Sequence, residues 1–501
     1  VKMEVEMSTL ISGSITNTYN PTTIAPLTAE LDFTTTSNAN VEITVLGNIP
    51  VYKNFETNIT SHKIPVLGLY AATNNPVVLK VTTATAYATD TIYVQTDSML
   101  SYMPEIIIDN ANTALMEPGM NLNTLHITDG TNFFPYPMIY DSNGDIRWFL
   151  NFEGVYTSFR APMELTAEGN LLFESGDAIK EYDFMGREVK SVLLPAGYRH
   201  AHHDVIILPN GNYVIPVNKD GESLVDNGTT YPTIEDYMIE IDGNSGALIR
   251  EWDFKEILDV DRTDLTTRVT SGGTIDWFHQ NAVIYDASDN TFVVSGRNQG
   301  IVKVDMNNNV KWIMAPHKGW GLAGSNGDLH RTDSLLLTAV DGSGTPYDTS
   351  IQNGSQNDMG FDWTWGQHAP VYLPNGNLLV FDNGFNRQFG TSSVNYSRAV
   401  EYDINETNKT VKQIWSYGES RGPATFSSII SDVDYLPNTG NILFAPGIMF
   451  GVNESRIVEL AYPSGTVVFE GTLKFKNERS TGNGFGQFDL TYRAERVSLY
   501  N

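Results

Sequence analysis

The chain contains no cysteine, and this absence excludes several kinds of site. Without thiols a protein has no disulfide framework, thiolate zinc site, iron–sulfur cluster or cysteine nucleophile. Basic residues are also scarce, since 31 Lys and Arg face 59 Asp and Glu, and the formal net charge is −28 at pH 7. Because contacts with phosphate require clustered Lys and Arg, we expect neither nucleic acid nor an anionic membrane surface as a partner.

Long hydrophobic runs are missing as well. No apolar stretch approaches the roughly 20 residues of a membrane-spanning helix, and residues 1–10 lack the charged and then apolar pattern of an export signal. We therefore expect no membrane span, and we expect that any export signal has been removed. With 501 residues, 41% of them hydrophobic, the chain has enough apolar material for a large folded core.

The first part of the chain, residues 1–98, is rich in Thr, Asn, Val and Ile. Residues 41–45 and 77–82 alternate apolar and polar side chains between Asn, Gly and Pro, which is typical of short antiparallel strands. This pattern predicts a small N-terminal β-sandwich.

The rest of the chain, residues 99–501, repeats a turn element. A strand ends in Asp, the chain turns through Gly or Asn, and the next apolar strand often reaches Trp. A second hairpin with Leu-Pro-Asn-Gly-Asn at its turn precedes this element at residues 208–212 and 373–377. The six copies of the first element lie at residues 139–148, 181–189, 240–252, 304–312, 401–415 and, in weaker form, 459–469.

Two hairpins per copy make four antiparallel strands, which is one blade of a propeller. The sequence therefore predicts an all-β protein, a six-bladed β-propeller preceded by the β-sandwich. Residues 487–500 alternate again, and we expect them to add a strand to the first blade and close the ring. The largest insertions, residues 255–275 and 315–362, are predicted to be functional loops at the rim.

Three of the nine histidines occupy nearly the same place in the repeat, at the start of a blade's leading strand. His203 and His368 lie five residues before a Leu, and His279 lies six residues before Tyr285. Because the first strands of a propeller line its central channel, these imidazoles are predicted to converge there. A single histidine of this kind is more often a packed core residue, but the recurrence favours a shared site.

Arg297 follows the leading strand of His279 across one hairpin, which can bring it back beside that histidine. The alternative is a surface cation. A guanidinium matches the oxygens of sulfate or phosphate, while imidazoles act as nucleophile, proton donor and charge stabiliser. The set predicts transfer of a tetrahedral oxyanion group.

Around these residues the sequence resembles the bacterial arylsulfate sulfotransferase family, in which a six-bladed propeller follows an N-terminal β-sandwich. The resemblance runs from about residue 195 to the end of the chain. It is carried by the stretches DWFHQN at 276–281, SGRNQ at 295–299, FDWTWGQH at 361–368, FDNG at 381–384, YSRAV at 396–400 and WSYG at 415–418.

The resemblance implies transfer of a sulfuryl group from an aryl sulfate to a phenol, without a nucleotide sulfate donor, by a ping-pong route through a sulfurylated histidine. Position by position, it makes His368 the nucleophile, His279 and Arg297 the clamp on the sulfuryl oxygens, and His203 the proton shuttle. His202 adjoins His203 and is the alternative at that position.

Two further substrate-binding positions come from the same resemblance. Asn281 is two residues along the strand from His279 and is expected to face the channel and orient the ligand. Tyr492 resembles an aromatic residue of the aryl site, with plain strand packing as the alternative. The resemblance implies no cofactor and no metal, an extracytoplasmic location with the leader removed, in the periplasm or otherwise outside the cytoplasm, and a homodimer formed through the sandwich.

Two other functions stay open at this point. His200, His202 and His203 resemble a metal-ligand cluster, which would suit a metal-dependent hydrolase of a sulfate or phosphate ester. Against it, neighbouring residues of a regular strand point to opposite faces, so His202 and His203 are not expected to enter the channel together. A non-enzymatic propeller that binds carbohydrate or protein through its rim loops is the second alternative.

Overall fold

The structure of the protein is a computed structural model that describes residues 2–160, 162–265, 267–324, 330–480 and 486–500. The N-terminal region forms one sheet of six strands, with a short helix at Met7–Leu10. Its strands are Met3–Glu4, Ile11–Tyr19, Thr28–Val45, Val51–Leu67, Asn74–Thr83 and Ala86–Gln95.

The longest strand, Thr28–Val45, organises this sheet. Along one edge it pairs with Val51–Leu67, and along the other with Ile11–Tyr19 and then Asn74–Thr83. Buried and less buried residues alternate along Asn74–Thr83, as the period of two in the sequence predicts. The buried side chains of the whole sheet belong to one apolar core.

Six further sheets of four or more strands follow within the described residues, which matches the six copies of the repeat. Blade 1 consists of Met120–Thr128, Phe133–Tyr140, Ile146–Phe149 and Leu490–Val497. Blade 2 consists of Glu164–Leu165, Leu171–Glu174, Ala178–Tyr182 and Glu188–Leu193. Blade 3 consists of Tyr198–Arg199, Ile206–Ile207, Tyr213–Lys219, Tyr237–Ile241 and Leu248–Asp253.

The second half of the propeller repeats this arrangement. Blade 4 consists of Gln280–Asp286, Thr291–Gly296, Gly300–Asp305 and Val310–Met314. Blade 5 consists of Thr338–Ala339, His368–Tyr372, Leu378–Asp382, Arg398–Asn405 and Thr410–Tyr417. Blade 6 consists of Glu105–Ala111, Asp432–Leu436, Asn441–Ala445, Glu454–Ala461 and Thr466–Lys474. The prediction of an all-β propeller after a small N-terminal β-sandwich is confirmed, and the six strands of the sandwich are hydrogen-bonded into one continuous sheet.

The ring is closed at two places. Leu490–Val497 pairs with Met120–Thr128 of blade 1, as the sequence predicted for residues 487–500. In addition, Glu105–Ala111 pairs with Thr466–Lys474 at the outer edge of blade 6, which the sequence did not indicate. Leading strands of neighbouring blades contact one another, so they lie innermost around the axis. This arrangement brings the starts of these strands together.

The remaining elements are short and lie in connections within or between blades. They are 3-10 turns at Phe254–Glu256, Asp333–Leu335, Arg387–Gly390 and Glu419–Thr425, a helix at Thr349–Gln352, and hairpins of Ser223–Asp226 with Thr229–Pro232 and of Leu322–Ala323 with His330–Arg331. Part of the second predicted insertion, residues 325–329, lies outside the described residues. Among the helices that the structure describes, none has the length and apolar character needed to cross a membrane.

A buried ion pair joins the N-terminal sheet to blade 1. Nη1 of Arg147 lies 2.9 Å from Asp141, both side chains are 0% exposed, and the guanidinium also donates to the carbonyls of Gly68 and Ile49. The same guanidinium stacks 3.7 Å from the ring centroid of Tyr70. The two regions therefore share a tightly packed contact, and a domain boundary at residue 98 stays a prediction.

Candidate active site

The starts of the innermost strands bring the predicted histidines together. The ring centroids of His203 and His279 are 4.9 Å apart. Tyr492, on the closing strand, lies 6.2 Å from the ring of His203 and 6.4 Å from the ring of His368. Three blades and the closing strand therefore contribute side chains to one site.

The backbone at the entry to these blades is irregular in the same way. His203 and His279 adopt left-handed conformations with φ of 63° and 55°, and Ala369, directly after His368, has φ of 48°. Such conformations are unfavourable for residues other than glycine by roughly 1 kcal/mol or more, and they cluster at functional sites. The turn at His203 also corrects one expectation. His202 and His203 do meet, with their Nδ1 atoms 2.9 Å apart, because the strand is not regular there.

His368 is held so that one ring nitrogen is free. Its Nδ1 lies 2.8 Å from Oδ1 of Asn383 and 3.0 Å from the carbonyl oxygen of Gly366. The amide of Asn383 donates to the carbonyls of Ser427 and Ile430, which turns its oxygen toward the ring. Since both partners of Nδ1 are acceptors, Nδ1 carries the proton and Nε2 keeps its lone pair.

The electrostatic surroundings keep His368 neutral. Burial lowers its pKa well below the usual value, and the positive charge of Arg297 lowers it further. Among the described residues no hydrogen bond uses the Nε2 atom of His368. An uncharged imidazole with an unshared nitrogen lone pair is a competent nucleophile.

The surroundings of His279 favour the protonated ring, in contrast to those of His368. Its Nδ1 lies 2.6 Å from Asp276 and 2.8 Å from Glu235. Burial lowers the pKa of His279, but the two carboxylates outweigh that effect and raise it to about 10. His279 is therefore an imidazolium at neutral pH, and its second N–H is available to an anion.

Arg297 adds a second cation beside His279. Its backbone N–H donates to the carbonyl of His279 at 3.0 Å, so the hairpin does bring it back as the sequence suggested. Among the described residues the guanidinium makes only long hydrogen bonds, 3.3 Å to the carbonyl of Ser428 and 3.4 Å to Asn298, and it lies 4.5 Å from the ring centroid of Phe385. Its buried Nε finds no hydrogen-bond partner in the described chain. These unused donors suit a planar or tetrahedral oxyanion.

The neighbouring pair His202 and His203 is neutral. Burial lowers the pKa of His202 to about 4 and that of His203 to about 3. The Nε2 atom of His202 is buried and lacks a partner within the ranges that the structure describes. His200 is exposed, so the predicted cluster of three histidines is not assembled. Glu235 takes its place instead, since one ligand atom each of His202, His203 and Glu235 lie within 4.8 Å of one another.

The two predicted substrate-binding residues differ in their surroundings. Asn281 is 0% exposed and donates to the carbonyl of Gln367 at 2.7 Å, which ties blade 4 to blade 5. Tyr492 is 1% exposed, its hydroxyl has no hydrogen bond to any described residue, and its ring meets Phe159 edge-on at 5.5 Å. Tyr492 therefore presents both a ring and a free hydroxyl, whereas Asn281 uses its Nδ2 to hold two blades together and keeps a buried Oδ1 without a partner among the described residues.

Three residues of the site were missed in the sequence. Asp276 and Asn383 lie inside the stretches 276–281 and 381–384, so a signal for them existed in the motifs already singled out. Glu235 lies in a turn with φ of 60°, far from those stretches, and nothing in its local sequence marks it.

Comparison with known proteins gives the family. The Arylsulfotransferase (ASST) family matches residues 80–483, and the Arylsulfotransferase Ig-like domain matches residues 16–97. The chain belongs to the arylsulfotransferase family. Its N-terminal sheet corresponds to the Ig-like domain match, and its propeller lies within the larger match except for the closing strand Leu490–Val497.

Two relatives carry the name arylsulfate sulfotransferase AssT. The protein from Escherichia coli O6:H1 is 32% identical over 343 residues, which is 60% of this chain and 56% of that protein. The chain thus matches just over half the length of this relative. The protein from Lelliottia amnigena is 29% identical over 535 residues, 89% of this chain and 88% of that protein.

Solved structures are similar at a lower level. The Dos1 propeller is 9% identical with a TM-score of 0.30, over 92% of this chain and 93% of that one. A quinonprotein alcohol dehydrogenase-like protein from Bacteroides thetaiotaomicron is 10% identical with a TM-score of 0.27, over 98% and 95%.

Proposed function

We propose that this protein transfers a sulfuryl group from an aryl sulfate ester to a phenol by a ping-pong mechanism through a sulfurylated His368. The observation that carries the proposal is the fixed tautomer of His368, which leaves Nε2 with a lone pair next to Arg297. The family supports the substrate class, since two relatives are named for arylsulfate sulfotransfer.

In the first half-reaction Nε2 of His368 attacks the sulfur, an N–S bond forms, and the bond from sulfur to the aryl oxygen breaks. The oxygen leaves with the electron pair of that bond. The imidazolium of His279 and the guanidinium of Arg297 compensate the charge on the remaining sulfuryl oxygens, which is the largest contribution that such a site makes. His279 and Arg297 thus place positive charge next to the negatively charged sulfuryl oxygens of the ester.

His203 moves the proton between the two oxygens. It is neutral in the free enzyme, and a bound sulfate anion favours its protonated form. It gives that proton to the leaving aryl oxygen, and it takes one from the acceptor phenol when the phenol oxygen attacks the sulfur and the N–S bond breaks. The enzyme then returns to its starting state with all protons accounted for.

The aryl rings of donor and acceptor are placed against aromatic side chains. Tyr492 and Phe159 meet edge-on at 5.5 Å, and Phe385 covers the guanidinium of Arg297. Edges and faces of this kind bind an aryl group with little conformational cost. Asn281, whose buried Oδ1 has no partner among the described residues, orients the ligand and also holds blade 5 through its Nδ2.

The test is His368→Ala, assayed with 4-nitrophenyl sulfate and a phenol acceptor. We expect transfer to fall by about 10⁴-fold or more while circular dichroism stays unchanged. His200→Ala is the control, because His200 is exposed and outside the assembled site. Turnover retained in His368→Ala would contradict the assignment of the nucleophile.

A metal-dependent ester hydrolase is the second candidate, because His202, His203 and Glu235 form one possible ligand group and Glu235, Asp276 and His279 another. Metal analysis and chelation separate the two functions. The sulfotransferase keeps its full activity after dialysis against EDTA, whereas a hydrolase of this kind loses it and holds stoichiometric metal.

An extracytoplasmic location and a homodimer remain proposals that rest on the family. The absence of cysteine is compatible with an oxidising compartment. Cell fractionation and light scattering of the purified protein test them directly.

A further inference from the structure

His202 has no role in the proposed transfer, yet its side chain makes a specific contact inside the site. Its Nδ1 lies 2.9 Å from Nδ1 of His203, and its Nε2 is buried without a partner in the described part of the chain. A buried polar atom without a partner is rare in a folded protein and calls for an explanation such as a bound ion or water.

A carboxylate is the third possible metal ligand beside the two imidazoles. Glu235 brings a carboxylate oxygen within 4.8 Å of ligand atoms of His202 and His203. Two imidazoles and one carboxylate, with a fourth position open, are the donors of many zinc sites. Two nitrogens on a tetrahedral zinc lie about 3.3 Å apart, as follows from bonds of about 2.0–2.1 Å. The observed 2.9 Å contact is a hydrogen bond in which one ring donates, so an ion bound to both Nδ1 atoms requires that proton to leave Nδ1 and the rings to separate by about 0.4 Å.

A second group of the same kind, Glu235 with Asp276 and His279, overlaps the first. It is the weaker candidate, because His279 is held as an imidazolium by both carboxylates and a protonated nitrogen cannot bind a metal. The two groups share Glu235, so an ion on the first group draws Glu235 away from His279.

We propose that His202, His203 and Glu235 form a reversible site for a divalent transition-metal ion of the zinc type, and that its occupancy inhibits the enzyme. The inhibition rests on the proposed function, since the ion takes the lone pair with which His203 accepts the phenol proton. The binding itself does not rest on that function. His202 thus supplies the additional ligand that allows His203, the proposed proton shuttle, to bind a metal ion.

Binding is tested first, by isothermal titration of the full chain with zinc chloride in the absence of substrate. We expect one ion per chain and a loss of at least about tenfold in affinity in His202→Ala. Glu235→Gln, which keeps the size of the side chain, is the second variant and is expected to weaken binding as well. His200→Ala is the control that keeps the affinity of the unsubstituted protein.

Inhibition is tested next, with 4-nitrophenyl sulfate and a phenol. Zinc chloride is expected to lower the rate in parallel with the occupancy measured by titration, and EDTA is expected to restore it. Absence of binding, or unchanged binding in both His202→Ala and Glu235→Gln, overturns the site. Stimulation by zinc overturns the inhibition and favours the hydrolase. If binding depends on His202 but no sulfuryl transfer occurs, the site stands and the proposed function fails.

Discussion

The innermost strands carry two regions of opposite character, only one residue apart along the chain. On one side lie His203 and Tyr492, and directly after them Asp204 and Arg493 line a second cavity of about 250 Å³. The charged residues around this cavity come from several blades and are Glu164, Asp204, Asp432, Asp434, Glu495 and Arg493. The candidate active site thus has two cations, His279 and Arg297, with donors available to a ligand. The second cavity has five carboxylates and one arginine.

The two regions differ in the charged groups that they leave for a ligand. In the candidate active site, two carboxylates bind the single charge of His279, and the guanidinium of Arg297 keeps donors for a ligand. In the cavity, burial raises the pKa of Asp432 and Glu495 well above the usual value and that of Asp434 to about 7. Under the proposed function, the first region thus offers a cation to the sulfate ester, whereas the raised pKa values keep carboxyls of the cavity protonated near neutral pH and Arg493 is already paired with Glu164 and Asp204.

The strongest test of the contrast is removal of the free cation. In Arg297→Met, kcat/KM for sulfuryl transfer is expected to fall by about a hundredfold to a thousandfold, because charge on the sulfuryl oxygens loses a preorganised partner. Steady-state kinetics with 4-nitrophenyl sulfate measure it. Arg331→Met is the matched control, since the Arg331 side chain is 76% exposed and pairs only with Asp333 among the described residues. Equal losses in both variants would refute the clamp.

The next test concerns the tautomer of His368. Asn383→Leu removes the oxygen that accepts from Nδ1, and we expect kcat to fall about tenfold to a hundredfold with little change in KM. Asn383→Asp keeps an acceptor there, so it is expected to retain more activity and to move the acidic limb of the pH profile upward. A positioning role fails if the two variants behave alike.

The charge of His279 predicts a pH limit. Its folded pKa of about 10 means that the release of 4-nitrophenol in the first half-reaction falls about tenfold per pH unit above pH 10. Because this pKa lies above the usual 6.5, the ion pairs stabilise the fold fully below pH 6.5 and lose that effect as the pH rises through 10. Stopped-flow rates and thermal melts from pH 7 to 11 check both. His279→Gln, without a titrating group, is expected to be slower and flat in this range.

The smallest effect on activity is expected from a substitution in the second cavity, which Asp204 and Arg493 line. The folded pKa of Asp434, about 7, lies above the usual 3.8, so the unfolded chain releases this proton first and stability falls as the pH rises from about 4 to 7. Asp434→Asn is expected to raise the melting temperature at pH 8 by about 1–3 °C, and by less at pH 5. Activity should stay within about twofold, because the cavity is outside the reacting site. A large loss of activity would mean that the two regions are not independent.

Much of this arrangement could be predicted from the sequence, because it depends on local signals. Alternating apolar residues and Gly or Asn turns mark each blade, and equal positions in the repeats place His203, His279 and His368 at one end of the axis. The repeat cannot show contacts between distant segments. Glu105–Ala111 finds its partner more than 350 residues away, and Glu235 reaches His279 from another blade.

The backbone conformation at His203 was the other feature that the sequence did not predict. The rule that neighbours on a strand face opposite ways holds for regular strands, and the left-handed turn at His203 breaks it. For that reason the contact between His202 and His203 was not foreseen, and neither was the metal-ligand group that they form with Glu235.

The most direct test of the account is to trap the covalent enzyme. The protein is incubated with an aryl sulfate in the absence of acceptor, quenched at alkaline pH, digested and sequenced by tandem mass spectrometry. We expect one sulfuryl group per chain, located on His368 and lost again when a phenol is added. A label on another residue, or turnover without any labelled intermediate, would contradict it.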